Sequence, residues 1–264
     1  MEFVELHDYI ENEINYADAN VSLLVYDFSK DKTLLSFGAE RKVVSASTIK
    51  TPIMLAALDL VQKGKFLLEQ RIAVPSKEIL KDTTVFDRGQ KDTTLEELLT
   101  WMMINSDNTA TNVLIELLGM EAINSYCVAL GLKNTVLMRK MLDWGAIEAG
   151  RNNYTSAADQ LIIFSKLYHA TVLTPELCGL ALSILKRQRD FSSALRYLCS
   201  ADITFAHKTG GLDYLNHDTG IFYLPGHNYY FGCFVTDAMS ETDENPVAKR
   251  LIGRLSKAVC DFCK

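Results

Sequence analysis

No apolar run among the 264 residues reaches the roughly 18 that a membrane-spanning helix needs, so no membrane span is expected. There is no Gly-x-Gly-x-x-Gly and no His-Glu-x-x-His. The two short patterns that would point to a dinucleotide cofactor or a catalytic zinc are thus missing, and no cofactor and no metal is expected. Positive charge is scarce: 27 Lys and Arg stand against 33 Asp and Glu, a net charge of −6. Nucleic-acid binding through the phosphate backbone needs clustered cations, so nucleic acid is not an expected partner. The opening stretch Met1-Glu2-Phe3-Val4-Glu5-Leu6-His7-Asp8 has neither a basic segment nor an apolar one, so it does not read as a secretory signal. The expected location is the cytoplasm as the sequence stands, or the periplasm or exterior if a leader was removed. The six cysteines are Cys127, Cys178, Cys199, Cys233, Cys260 and Cys263, and all but Cys263 sit in apolar surroundings. Cys260-x-x-Cys263 has no second Cys or His pair at zinc spacing, so reduced core cysteines are the expectation.

Composition is that of a globular protein, with 48% hydrophobic and 23% charged residues, and the length can bury a large core. The chain opens with a helical stripe at Leu6, Tyr9, Ile10 and Ile14. Val21 to Phe28 and Leu34 to Phe37 read as strands joined by a turn at Asp31-Lys32. An apolar helix runs from Ser47 to near Gly64, and residues 75–93 read as loop and short helix. Helices follow over 94–104, 109–118 and 121–130, with Thr93 or Thr94 capping the first and Gly119 and Gly131 closing the others. Thr155 or Ser156 caps another helix to about His169, Thr174-Pro175-Glu176 opens the next, and Ser192 to Cys199 reads as a short helix. Then the character changes: strands at 204–209, 218–224 and 229–236 precede a long amphipathic helix over 246–262.

Strands at both chain ends with helices between them predict an α+β fold. One antiparallel sheet of about five strands is covered by the terminal helices, beside an all-helical lobe. The expected division is discontinuous: 1–45 plus 200–264 form the sheet lobe, 46–199 the helical one, and the active cleft lies between them. A monomer is expected.

Three short patterns occur in fixed order: Ser47-x-x-Lys50, Ser106-Asp107-Asn108 and Lys208-Thr209-Gly210. Ser-x-x-Lys also occurs at Ser29 and Ser183, but only Ser47 stands where a small-polar run meets an apolar helix. Residues three apart on a helix share a face, so a Lys50 amine can reach the Ser47 hydroxyl. A serine is a poor nucleophile until a neighbour takes its proton, and a neutral lysine can do so. The second pattern falls at a break between helices, the third at the end of a strand beside Gly211.

In this order the three patterns resemble those of the penicillin-recognising serine enzymes, the class A β-lactamases and penicillin-binding proteins. The spacings of 59 residues from Ser47 to Ser106 and 102 from Ser106 to Lys208 are similar to the class A branch. Asn108-Thr109-Ala110-Thr111-Asn112, Asn153-Tyr154-Thr155-Ser156-Ala157-Ala158 and Asn216-His217-Asp218 extend the likeness over nearly the whole chain. The resemblance implies a serine hydrolase that works through an acyl-enzyme on β-lactam-like or D-Ala-D-Ala-like amides, a class A-like β-lactamase first. A penicillin-binding D-alanyl-D-alanine peptidase, a small amide or ester hydrolase, and a sensor that stays acylated are the alternatives. Ser47 would be acylated, Lys50 would take its proton, and Ser106 would pass a proton to the leaving nitrogen. Lys50 must then be neutral, and burial and the charge of Lys208 both push its pKa down. Asn108 would hold the substrate's side-chain amide, Lys208 and Thr209 its carboxylate, and the Ser47 and Gly211 N–H groups its oxyanion. Asp107 and Asn112 read as residues that fix loops, and His207 and His217 as structural or rim residues. The family's Glu-x-x-x-Asn is absent from Met138 to Gly150, where Asp143 and Glu148 are the only carboxylates. Deacylation is therefore expected to be slow.

Overall fold

The computed structural model describes residues 2–83, 85–86, 92–198, 200, 202–238 and 246–264. Cys199 and the glycine of the 75–93 loop, Gly89, lie outside them. The centre is a five-stranded antiparallel sheet. Its strands are β1 (Asn20–Asp27), β2 (Lys32–Phe37), β7 (Thr204–Leu212), β8 (Leu215–Leu224) and β9 (His227–Thr236), in the order β2-β1-β9-β8-β7. Residues from the two ends of the chain meet in the β1–β9 ladder, where Leu24 faces Gly232 and Tyr26 faces Tyr230.

β1, β8 and β9 are buried along nearly their whole length because both faces of the sheet are covered there. Side chains alternate across the sheet. Leu23, Val25, Phe231 and Cys233 point to one side, where they pack with Leu6 and Ile10 of α1 (Phe3–Asn15) and Leu251, Ile252, Leu255 and Val259 of α9 (Pro246–Cys263). Leu24, Ala206, Ile221, Tyr230 and Phe234 point to the other side and join the helical core. Full burial of each large apolar side chain here contributes about 1.5–3 kcal/mol.

That second core is built on α2 (Lys50–Gln62), which is buried from Lys50 to Asp59. Around it stand α3 (Leu95–Ile104), α4 (Asn108–Leu118), α5 (Met120–Ala129), α7 (Ala157–Tyr168) and α8 (Pro175–Leu185). Local chemistry sets their starts. Thr94 and Glu97 form a reciprocal cap on α3, with Thr94 Oγ1 accepting from Glu97 N at 3.1 Å and Glu97 accepting from Thr94 N at 2.9 Å. Asp107 caps α4 and Ser156 caps α7.

The structure departs from the sequence reading in several places. The helix expected at Ser192–Cys199 is a turn over 194–197. There Asp190 Oδ1 accepts from both the N–H and the hydroxyl of Ser192, a local bond that competes with a helix. A small ribbon of β4 (Arg71–Ala73) and β5 (Asp92–Thr94) and a short helix α6 (Trp144–Glu148) stand where the sequence reading assigned no strand or helix of this kind. Cys263 is buried, like Cys127, Cys178, Cys233 and Cys260, and none of these five is in a disulfide. No helix among the described residues is long and apolar enough to cross a membrane.

Candidate active site

Ser47 lies in a 3-10 turn, Ala46–Ile49, which runs directly into α2. The turn is entered from β3 (Val43–Val44), which pairs with β6 (Tyr154–Thr155). Ala46 has φ +43°, a left-handed backbone that a residue with a Cβ adopts only when its surroundings hold it there. Several bonds hold it. The Ser45 carbonyl accepts from Thr48 N at 3.0 Å and Thr48 Oγ1 at 2.6 Å. Behind the turn, Gln160 of α7 accepts from Thr51 Oγ1 at 2.9 Å and donates to the Thr48 carbonyl at 3.3 Å and Thr155 Oγ1 at 3.1 Å. All four of these polar side chains are fully buried, so each unmade bond would carry a full desolvation penalty.

Lys50, the first residue of α2, is completely buried. Its Nζ donates to the Ser106 carbonyl at 2.6 Å, to Ser106 Oγ at 3.0 Å and to Asn108 Oδ1 at 2.8 Å. Burial first and the Lys208 charge second hold its pKa well below the usual lysine range; Asp107 and Asp82 push more weakly the other way. Three acceptors suit the ammonium. In the neutral amine one of these contacts can reverse, because the Ser106 hydroxyl both donates and accepts.

Ser106 sits in the break between α3 and α4, also left-handed at φ +55°. Asp107 fixes the break by accepting from Ala110 N at 2.7 Å and from the hydroxyl of Thr83. Asn108 opens α4, and its Nδ2 donates to Asp82 Oδ2 at 2.6 Å. One turn further along the same face, Asn112 accepts from Met141 N at 2.7 Å and donates to the Met141 carbonyl at 3.1 Å.

Lys208 and Thr209 come from β7, an edge strand of the sheet, and both are buried. Lys208 Nζ donates to the Thr209 carbonyl at 2.8 Å. Burial brings its pKa down to about 8, against the opposing pull of Asp190 and Asp218. The next residue, Gly210, lies against the turn that carries Ser47: a Cβ there would stand 3.1 Å from the Ser45 carbonyl oxygen, 3.2 Å from Ala46 Cβ and 3.2 Å from Ser47 N. Any Cβ here would push the strand and the turn apart by a few tenths of an ångström. Gly211 is less confined, with Asn216 Oδ1 at 3.4 Å from the corresponding position.

Ser106 and Asn108 therefore meet Lys50 directly, while the Lys208 strand lies against the turn that carries Ser47. Two histidines flank the site without pointing at it. His207 Nδ1 bonds Asp218 Oδ1 at 2.7 Å, inside the protein. His217 Nε2 donates to the Val44 carbonyl at 2.8 Å, and burial takes its pKa down to about 4, so it is neutral at physiological pH.

The stretch 138–153 is tied to α4 through Asn112 and to itself through Asn153. Asn153 Oδ1 accepts from Met138 N and Arg139 N at 2.7 and 3.0 Å. Met141, gripped by Asn112, is buried and apolar. Asp143 is exposed and caps α6 through Ala146 N, and Glu148 is exposed. Gln160, Thr51, Asp82 and Thr83 have parts here that no sequence pattern indicated.

Comparison with known proteins gives a consistent picture. The family model described as "Beta-lactamase enzyme family" matches residues 5–263. The β-lactamase VEB-1 of Pseudomonas aeruginosa is 24% identical over 271 residues, spanning 96% of this chain and 88% of that protein. A crystal structure of a β-lactamase from Chitinophaga pinensis superposes with a TM-score of 0.89 at 23% identity, covering 98% of this chain and 100% of that one. The structure of PBP-A does so with a TM-score of 0.87 at 24% identity, covering 98% and 96%. At such identities the two structures speak for the fold.

Proposed function

The chain belongs to the β-lactamase enzyme family, and from that premise we propose that it is a class A-like serine β-lactamase that forms its acyl-enzyme readily and releases it slowly. The observation that carries this reading is the buried Lys50 amine in contact with Ser106 Oγ and Asn108 Oδ1. A lysine with a strongly lowered pKa can be neutral at working pH, which is what a general base requires.

Ser47 Oγ attacks the lactam carbonyl and its proton passes to Lys50 Nζ. The new C–O bond forms while the carbonyl oxygen takes negative charge, stabilised by the N–H groups of Ser47 and Gly211. The C–N bond then breaks. The leaving nitrogen takes the Ser106 hydroxyl proton, and Lys50 returns its proton to Ser106 Oγ, so both end as they began. Lys208 and Thr209 hold the substrate carboxylate, and Asn108 holds the side-chain amide. The cleft lies between a sheet lobe, 1–45 plus 200–264, and a helical lobe, 46–199.

Hydrolysis of the ester needs a group that activates water. Asn112 holds the backbone of Met141, whose side chain is buried in the helical core, and Asp143 caps α6. This favours long-lived acylation. It also gives ground to a second reading, a penicillin-binding D-alanyl-D-alanine peptidase, in which the acyl group comes from peptide rather than antibiotic. Labelling with a fluorescent penicillin tests the first step: the label falls on Ser47 and disappears in Ser47→Ala. Nitrocefin turnover tests the second. A rate like that of efficient β-lactamases would refute slow release, and no label on the folded protein would refute the acyl-enzyme.

A further inference from the structure

Asp82 is an exposed carboxylate beside Asn108, and no pattern in the sequence assigns it a task. It does not dangle from a free loop. The segment that carries it is fastened to the Ser106 break in antiparallel order: Leu80 N donates to Thr109 Oγ1 at 3.0 Å, Asp82 accepts from Asn108, and the Thr83 hydroxyl donates to Asp107. Thr83 Oγ1 in turn accepts from Val85 N and Phe86 N, and the Phe86 ring is buried in the helical core. Position is therefore imposed on Asp82 from both sides.

The amide between Lys50 and Asp82 has a fixed sense. Its oxygen faces the amine at 2.8 Å and its nitrogen faces the carboxylate at 2.6 Å. An amide has two N–H donors, so one remains for a substrate after Asp82 has taken the other. Among the described residues Asp82 has no ion-pair partner. Whatever accepts the second N–H of Asn108 thus lies beside the Asp82 carboxylate.

We propose that Asp82 is a specificity residue that favours amides whose acyl portion carries an ammonium next to the amide held by Asn108 and disfavours those that carry a carboxylate there. This rests on the reading that Asn108 receives the substrate's side-chain amide. The substrate class is a cationic, aminoacyl-like amide. Asp82 is a selecting group and takes no part in proton transfer. Because it is exposed, its effect is screened. Each unit charge about 5 Å away shifts the rate of acylation by about three- to fourfold, in opposite senses for the two signs.

The test uses three penicillins that differ only at the carbon next to the side-chain amide: ampicillin with an ammonium, penicillin G with hydrogen, and carbenicillin with a carboxylate. Second-order acylation rates are read by competition with a fluorescent penicillin, for the unmodified protein and for Asp82→Asn, which keeps an acceptor for Asn108 and removes the charge. The ratio of the ampicillin rate to the carbenicillin rate is expected to fall about tenfold in Asp82→Asn. It is also expected to shrink in the unmodified protein at about 0.5 M salt, where charges on the surface are screened. An equal ratio in both proteins, with all three compounds acylating, overturns the role of Asp82 and leaves the acyl-enzyme standing. If none of the three acylates the unmodified protein, the acyl-enzyme reading and this inference both fall.

Discussion

Replacing Gly210 with alanine puts a methyl group where there is little room for one. Its carbon would lie 3.1 Å from the Ser45 carbonyl oxygen and 3.2 Å from both Ala46 Cβ and Ser47 N, tighter by a few tenths of an ångström than ordinary contact. The strand cannot swing away freely, since β7 is laddered to β8 from Thr204 to Leu212. The turn cannot yield easily either. Ser45 N donates to the Asn153 carbonyl at 2.9 Å, His217 grips the Val44 carbonyl, and Gln160 holds Thr48 from behind. The displacement falls on the Ser47 N–H, one of the two groups assigned to the oxyanion. Loss of a whole oxyanion donor slows acyl transfer about 10²–10³-fold; a displaced donor retains part of its effect, so acylation is expected to slow about 10- to 100-fold. Overpacking of this kind destabilises by about 1–3 kcal/mol, and each kcal/mol lowers Tm by about 2–4 °C in a chain of this size. Gly211→Ala is the control. The nearest atom to its added methyl is 3.4 Å away, an ordinary contact, so both effects should be much smaller. Stopped-flow acylation by a fluorescent penicillin and a thermal melt read both quantities. Wild-type acylation in Gly210→Ala, at unchanged Tm, would show that the strand and the turn that carries Ser47 do not constrain each other.

Three further outcomes follow from the same geometry. His217 has a folded pKa of about 4 against an ordinary value of 6.5, so the stability it contributes is present above 6.5 and is lost as pH falls through 4. This amounts to about 3 kcal/mol, and urea unfolding at a series of acid pH values should show the slope in the native chain and a weaker one in His217→Gln. Lys208 has a folded pKa of about 8, so its grip on a substrate carboxylate should weaken as pH rises through 8. In Lys208→Met that alkaline limb vanishes, and the acid limb of the acylation profile moves to higher pH because Lys50 has lost the neighbouring like charge. In Asn112→Ala the Met141 backbone loses an acceptor and a donor at 2.7 and 3.1 Å, a loss of about 2–3 kcal/mol at this buried position, and amide exchange at Met141 should rise well before global unfolding.

Much of the fold can be read from the residues because local and global preferences agree. Apolar runs at 21–28, 218–224 and 229–236 are strands with both faces buried, and Thr94, Ser156 and Thr174-Pro175 announce their helices by capping chemistry. What escaped reading is short or held from afar. The ribbon of Arg71–Ala73 with Asp92–Thr94 has three residues per strand, too few to display an alternation. The turn at 194–197 is set by a carboxylate at Asp190 that a helical pattern does not reveal. The site divides in the same way. Ser47, Lys50, Ser106, Asn108 and Lys208 stand in recognisable patterns, and the fold brings Lys50, Ser106 and Asn108 into hydrogen-bond contact. Gln160 is separated from Thr51 by 109 positions and Asp82 from Asn108 by 26, each with no local signature, so only the folded chain pairs them.

The central claim is that Ser47 becomes covalently acylated and is slow to be freed. Intact-mass spectrometry of the protein mixed with penicillin G, sampled over time and followed by peptide mapping, reads both halves at once. The account predicts a gain of one whole penicillin on the peptide that contains Ser47, persisting long after free antibiotic is removed and absent from Ser47→Ala. A native protein that gains no mass, or carries the adduct on another residue, would contradict it.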